Sequence, residues 1–344
     1  MPSLMDLPLE IRAIIFKEVI NGHRTPPISP SKLNMVHLLD MEYKANISRF
    51  QPYYEQRDTH SPSNSLSLLL TSRQVSTETQ WILNRTNNNY VLDISVLNDL
   101  DLFATWVSVP QLTTRLSTLH VDIRLFGHMI TSKEGRNQIG CGGRLGFHWS
   151  FYAILERFLR YGPVGVKKEH TNDWGDPCSY GNRKICVENL ILDFHSAETE
   201  LPYPPDNLEY GAWMDKHGGG SQPINEQEEE AESLAYKTRP EWLLCYLENC
   251  LEFIIDMSYH AAEYGGFIYK RIGTISMLVD GRLKATIDLA GILARLTFSS
   301  PADTMGHLQS EIRLSKFWKW KKATLWRREA LGFPVVWPQD MERE

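Results

Sequence analysis

The stretch Leu119-His120-Val121-Asp122-Ile123-Arg124-Leu125 alternates strictly between apolar and polar side chains. Successive side chains of a β-strand point to opposite faces, so this period of two predicts a strand with one buried and one polar face. It is the clearest strand signal in the chain, and the elements around it decide the fold class.

Further strands and helices alternate on both sides of this strand. The other strands are predicted over 90–94, 185–194, 272–279 and 282–289, the last two forming a hairpin around Asp280-Gly281. The helices of this part are predicted over 95–107, 147–161, 240–264 and 311–331. We therefore predict a mixed α/β fold, with a sheet of about five strands and helices packed against it.

The composition indicates a globular chain with a core of ordinary size. Of 344 residues, 42% are hydrophobic and 23% are charged, and the net charge of −6 does not suggest a nucleic-acid binder. Five irregularly spaced cysteines do not form a disulfide framework. With no long apolar run and no basic leader at residues 1–12, we expect no membrane span and a cytoplasmic or nuclear location.

The N-terminal region predicts a helix from Leu7 to Ile20 with Pro8 in its first turn, and a second helix over 66–83. The first helix is apolar on two sides. One face holds Leu7, Ile11, Ile14, Ile15 and Val19, and the other holds Leu9, Phe16 and Ile20. Such a helix is either sandwiched within a core or connects a core to a partner, and the sequence leaves both readings open.

Two motifs in this region resemble a known family. Leu7-Pro8-x-Glu10-Ile11-x-x-x-Ile15-Phe16 resembles the opening of the F-box, a short three-helix module. Leu68-Leu69-Leu70-Thr71-Ser72-Arg73-Gln74-Val75-x-x-Glu78 resembles its later part as found in fungal F-box-like proteins. The resemblance covers about residues 4–94.

This resemblance implies that the helical module binds the Skp1-like adaptor of a cullin ubiquitin ligase, while the rest of the chain recognises an unknown protein target. The residues that we predict to contact the adaptor are Leu7, Pro8, Leu9, Ile11, Ile15, Phe16 and Ile20.

The chain is predicted to have two parts. Residues 1–94 form the helical module, with a long exposed insertion over about 23–65 that is rich in Pro, Ser and Asn. Residues 95–344 form the α/β body, with a flexible acidic insertion over about 196–236. We expect both insertions to be dispensable for folding, since their composition does not favour a packed core.

Two polar pairs lie in or beside predicted strands, His120-x-Asp122 and Asp193-x-His195. Each pair shares one side of its strand, so neighbouring strands would bring two His and two Asp together for metal binding or acid–base chemistry. The alternative is that all four are outward polar positions. Since no sequence feature makes these strands neighbours, we predict no catalytic residue, no metal and no cofactor.

Other motifs for enzymatic sites are weak. Cys141, Cys178, Cys186 and His170 do not have the spacing of a compact zinc module. The glycine-rich stretch 140–146 lacks the lysine of a phosphate-binding loop and does not directly follow a strand. We therefore do not expect an enzyme.

The C-terminal helix interleaves basic and aromatic residues. The basic residues are Arg313, Lys316, Lys319, Lys321, Lys322, Arg327 and Arg328, and the aromatic residues are Phe317, Trp318, Trp320 and Trp326. This pattern is compatible with nucleic-acid binding, but also with docking onto the body or onto the acidic cluster near Glu229. An adaptor protein is the leading hypothesis, and a nucleic-acid-associated protein and a metal-dependent enzyme are the alternatives. We do not expect nucleic acid to be a partner.

Overall fold

The computed structural model describes most of the chain. The described residues are 4–32, 35–38, 52–55, 63–131, 134, 147–163, 183–217, 226–257, 262–298 and 310–339. Within them, only the backbone is described at 215–217, 226, 228–230, 262–263 and 310–313. The fold is mixed α/β, as predicted, and no helix in these ranges combines the length and apolar character needed to cross a membrane.

A 3-10 turn, Leu4–Asp6, precedes the first helix. The helices are α1 (Leu9–Ile20), α2 (Leu66–Thr71), α3 (Arg73–Leu83), α4 (Phe147–Tyr161), α5 (Tyr210–His217), α6 (Glu226–Ala235), α7 (Pro240–Ile255), α8 (Ala262–Arg271), α9 (Leu289–Arg295) and α10 (Ser310–Ala330). The strands are β1 (Met35–His37), β2 (Tyr53–Glu55), β3 (Asn89–Leu97), β4 (Asp101–Ser108), β5 (Arg115–Phe126), β6 (Cys186–His195), β7 (Ile272–Val279) and β8 (Arg282–Ile287).

The eight strands form one sheet in the order β1-β2-β4-β3-β5-β6-β7-β8. Strands β3, β5, β6 and β7 run parallel at its centre, and the antiparallel pairs β3–β4 and β7–β8 flank them. The sheet therefore has three more strands than the sequence predicts.

The two faces of the central strands differ as the alternation of β5 predicts. Leu119, Val121 and Ile123 are buried in the main core, as are their β6 partners Leu190 and Leu192. Helices α7, α8 and α9 pack against β6 or β7, and α4 packs against β4. The opposite face carries the polar side chains of β3, β5 and β6.

The predicted helix over 95–107 is wrong, because these residues form the end of β3, a tight turn and most of β4. Asn98 and Asp99 have φ angles of 54° and 58° in the turn. Positive φ at both central positions is the geometry of a hairpin turn, and Asn and Asp tolerate it better than most residues.

Two predicted long helices are each divided. Ser72 breaks the helix predicted over 66–83, and its side chain caps α3 by accepting a hydrogen bond from the Val75 amide. The helix predicted over 240–264 ends at Ile255, and α8 begins at Ala262. The helix over 147–161 and the hairpin around Asp280-Gly281 are confirmed.

Both predicted insertions contribute to the folded core. Tyr53 and Tyr54 of β2 are buried, and β2 extends the sheet by pairing with β4. Trp213 of α5 is fully buried and packs near Trp242 of α7, with ring centroids 5.5 Å apart. The described parts of these segments are therefore not wholly exposed, because each buries large aromatic side chains, and their dispensability for folding stays a prediction.

Candidate functional sites

The N-terminal helices have a small hydrophobic core of their own, separate from the core of the sheet. Its fully buried members are Phe16, Ile20, Val75, Ile82 and Leu83. Because α1 and α3 contribute all five, the helical module is held together mainly by the packing of these two helices.

A partly buried ion pair fixes α1 against α3. The Arg12 guanidinium donates to both carboxylate oxygens of Glu78, at 2.9 and 2.6 Å, in the bidentate geometry that favours Arg. The hydrogen bond from Arg12 is the main reason that the pKa of Glu78 is below its ordinary value. Sequence reasoning missed this pair, since charges 66 residues apart carry no local signal.

The opposite side of α1 is exposed and mixed in character, with Ile11 and Ile14 on either side of the charged Glu18. Leu9, Ile11, Ile14 and Val19 are 54%, 45%, 57% and 44% exposed. Ile11 and Ile14 point away from the buried side, and Val19 lies at its margin. Leu9 projects on the buried side and is exposed because it is the first residue of the helix. Among the residues that the structure describes, α1 is therefore packed on one side and exposed on the other, and is not sandwiched within a core.

The predicted adaptor contacts fall into different environments. Pro8, Leu9 and Ile11 are exposed, while Leu7 and Ile15 are half-buried. Phe16 and Ile20 are fully buried and are removed from the predicted contact surface, because they form the core of the module. Ile14 and Val19 belong to the exposed surface instead, and the helical periodicity already placed them beside Ile11.

The second candidate site is a row of acidic side chains across the polar face of the sheet. In the sheet, Asp93 of β3 lies opposite Asp122 of β5, and Asp122 lies opposite Asp193 of β6. His120 and His195 lie on the same face, two residues from this row. Strands β5 and β6 are thus parallel neighbours, and the two His and two Asp residues predicted on them lie close together.

Asp122 lies between the two histidines. Its Oδ1 is 3.2 Å from His120 Nε2 and 3.0 Å from His195 Nε2. Burial favours the neutral form of Asp122, but hydrogen bonds from both imidazoles outweigh burial and hold its pKa far below the ordinary range. The same hydrogen bonds raise the pKa of His120 and of His195.

The neighbouring acidic groups are held by other partners. Arg124 Nη2 donates to Asp93 Oδ2 at 3.0 Å, so the Asp93 carboxylate is held in an ion pair with Arg124. Asp193 Oδ1 accepts a 3.0 Å hydrogen bond from the backbone amide of Gly281 in the β7–β8 turn. Asp280 and Gly281 have φ angles of 47° and 74°, and in this turn the Gly281 amide faces β6.

A cleft of about 800 Å³ opens onto this part of the sheet. The segment after α1 forms one wall, including His23 and Arg24, and β5 contributes Thr118, His120 and Asp122. Arg24 anchors that wall through an ion pair with Glu55 and a hydrogen bond to the Trp106 carbonyl. The cleft makes two members of the His/Asp cluster accessible from solvent.

The C-terminal helix α10 docks onto the body. Lys321 is buried and donates to the carbonyls of Ala294 and Leu296 at 2.8 Å, at the end of α9. Arg328 is fully buried and donates to the carbonyls of Tyr269, Ile272 and Gly273. The side chains of Lys316 and Lys319 are exposed. Two other cations of the basic pattern, Lys321 and Arg328, hold α10 to the body.

Several candidate motifs lie outside the described residues. These are Cys141, Cys178 and His170 of the weak zinc motif, the glycine-rich stretch 140–146, and most side chains of the acidic cluster near Glu229. Cys186 is described, and it is buried with a free thiol.

Comparisons with protein-family models, curated proteins and solved structures found no match.

Proposed function

We propose that this chain is a protein-interaction protein, whose helical module docks a Skp1-like adaptor and whose α/β body recognises a protein target. The observation that carries the proposal is the division of α1 into a buried face and an exposed face on which Ile11 and Ile14 lie. The adaptor is named from the F-box-like motifs at residues 7–16 and 68–78.

The exposed face has the form that helix-mediated recognition uses. Single exposed aliphatic residues are common on protein surfaces, but Leu9, Ile11, Ile14 and Val19 lie on one helix of 12 residues. Ile11 and Ile14 are three residues apart, a spacing that aligns anchors along a helix docking into a groove. Burying this surface against a partner would remove apolar area from water, which favours association.

The buried face supports the same proposal because it holds the exposed face in place. Phe16 and Ile20 anchor α1 in the small core, and the Arg12–Glu78 ion pair limits its rotation. A fixed helix loses little conformational freedom on binding, and this lowers the cost of association.

Binding to a purified Skp1-like adaptor, measured by isothermal titration calorimetry, tests the proposal. We expect Ile11→Asp and Ile14→Asp each to weaken binding at least tenfold, because a charge would be placed within an apolar interface. Leu283→Asp is the matched control, since Leu283 is 64% exposed on β8 at the other edge of the sheet.

Point variants are preferable to removal of residues 1–22, because this deletion also removes Phe16 and Ile20 from the module core. Circular dichroism and a thermal melt show whether each variant is folded. Absence of adaptor binding by the folded wild-type chain, or equal binding by wild type and both α1 variants, would contradict the proposal.

A further inference from the structure

We propose that His120, Asp122 and Asp193 form a binding site for a zinc-like divalent transition-metal ion, with His195 positioning Asp122. This inference goes beyond the proposed adaptor function and does not depend on α1. It revises our expectation of no metal, which rested on strands whose pairing could not be read from the sequence.

The first argument is the separation of the candidate ligand atoms. One ligand atom each of His120, Asp122 and Asp193 lies within 4.8 Å of the other two. A tetrahedral ion with bonds of about 2.0–2.1 Å holds its ligand atoms about 3.3–3.5 Å apart. His120 Nε2 and Asp122 Oδ1 are already 3.2 Å apart, so small side-chain movements suffice.

The second argument is the rigidity of the site. Its ligands project from β5 and β6, two central strands paired in parallel, rather than from loops. The Gly281 amide holds Asp193 from the β7–β8 turn, and His195 contacts Asp122 at 3.0 Å. Contacts of this kind orient the residues that bind the ion in metal sites.

The third argument is the chemistry and accessibility of the ligands. One imidazole nitrogen with two carboxylate oxygens suits zinc, manganese or iron better than calcium or magnesium, which prefer oxygen ligands alone. The side chains of His120 and Asp122 are 33% and 30% exposed and line the cleft. An ion can therefore reach them and keep a position open to a small molecule.

The full chain, dialysed against a chelator and titrated with Zn²⁺ in a calorimeter, tests this proposal. We expect about one ion per chain, with binding lost in His120→Ala and in Asp122→Asn. His195→Ala should weaken binding by about 10–100-fold, as substitution of a positioning residue does. His128→Ala is the matched control, because His128 lies outside the cluster, and Ile14→Asp should bind zinc as wild type does.

Co²⁺ as a spectroscopic probe identifies the ligands. We expect visible bands of a low-coordinate nitrogen and oxygen site in wild type and in His195→Ala, and their loss in His120→Ala. Circular dichroism establishes that the variants are folded. The proposal is overturned if wild type does not bind Zn²⁺, if binding survives His120→Ala, or if a thiolate-to-cobalt charge-transfer band places the ion at cysteine.

Discussion

Ile14 and Phe16 are two residues apart on α1, and their environments are opposite. Ile14 is 57% exposed, whereas Phe16 is fully buried between α1 and α3. Helical periodicity places them on different faces, but it does not decide which face is covered. That depends on α3, which lies more than 50 residues further along the chain, so the buried face could not be read from residues 7–20 alone.

The first prediction compares these two residues. Phe16→Ala should lower the free energy of unfolding by about 3–5 kcal/mol, because it leaves a cavity in a small core. Ile14→Ala should change it by no more than about 0.5 kcal/mol, as expected for an exposed side chain. Urea denaturation followed by circular dichroism measures both, and similar losses in the two variants would show that Ile14 is also packed.

A second residue-scale prediction concerns Asp99 in the β3–β4 turn. Burial raises its pKa to about 6, although Asp99 Oδ2 accepts hydrogen bonds from the Thr238 hydroxyl and the Ile130 amide. A carboxyl group with a raised pKa in the folded state stabilises the fold only while protonated. Its contribution is therefore present below the ordinary Asp pKa and is lost as pH rises to about 6.

Asp99→Asn removes this titration and keeps a residue type that tolerates positive φ. The stability of wild type relative to Asp99→Asn should fall between about pH 4 and pH 6, on the order of 3 kcal/mol in total. Urea denaturation at a series of pH values measures the difference. A difference that does not change with pH would show that Asp99 titrates normally.

At the scale of elements, the alternation of β5 was sufficient to predict a strand and its two faces. The hairpin at Asp280-Gly281 was also predictable, because its turn residues require positive φ. The turn at Asn98-Asp99 is of the same kind, but the apolar residues after it also fit one side of a helix. The Asn-Asp dipeptide is the local signal for this turn, but it is weaker than the helical spacing of the apolar residues around it.

The docking of α10 gives an element-scale prediction. Arg328→Met should lower the free energy of unfolding by about 3 kcal/mol or more, because the buried carbonyls of Tyr269, Ile272 and Gly273 lose a donor. Lys316→Met should have little effect, since Lys316 is exposed on the same helix. Thermal denaturation of the two variants tests this, and equal melting temperatures would argue against a structural role for Arg328.

At the scale of the whole molecule, the sequence predicted the α/β class but not the extent of the sheet. Strands β1 and β2 come from a Pro- and Ser-rich stretch, and β2 has only three residues, too few to give a strand pattern without its pairing with β4. The polar row at Asp93, Asp122 and Asp193 depends on strand order in the same way. Local pattern supplied Asp122 and Asp193 as candidates but not Asp93, and the proximity of all three is a property of the complete sheet.

Trp213 tests whether the segment over 196–236 belongs to that fold. Trp213→Ala should lower the free energy of unfolding by about 3–5 kcal/mol, because its indole is fully buried near Trp242. Trp81→Ala is the matched control, since Trp81 is 52% exposed and contacts Arg85. A loss no larger than that of the control would support the prediction that this segment is dispensable.

The parallel centre of the sheet has a consequence for how quickly the chain folds. The β3–β4 and β7–β8 pairs join neighbouring segments, but the β5–β6 pair brings together residues about 70 positions apart. Contacts between such distant residues slow folding, because the chain entropy is lost before the strands pair. We expect the two hairpins to form early and the row through Asp122 and Asp193 to assemble late. During synthesis, the apolar face of β5 is therefore exposed until β6 and β7 have been made and can pair with the sheet.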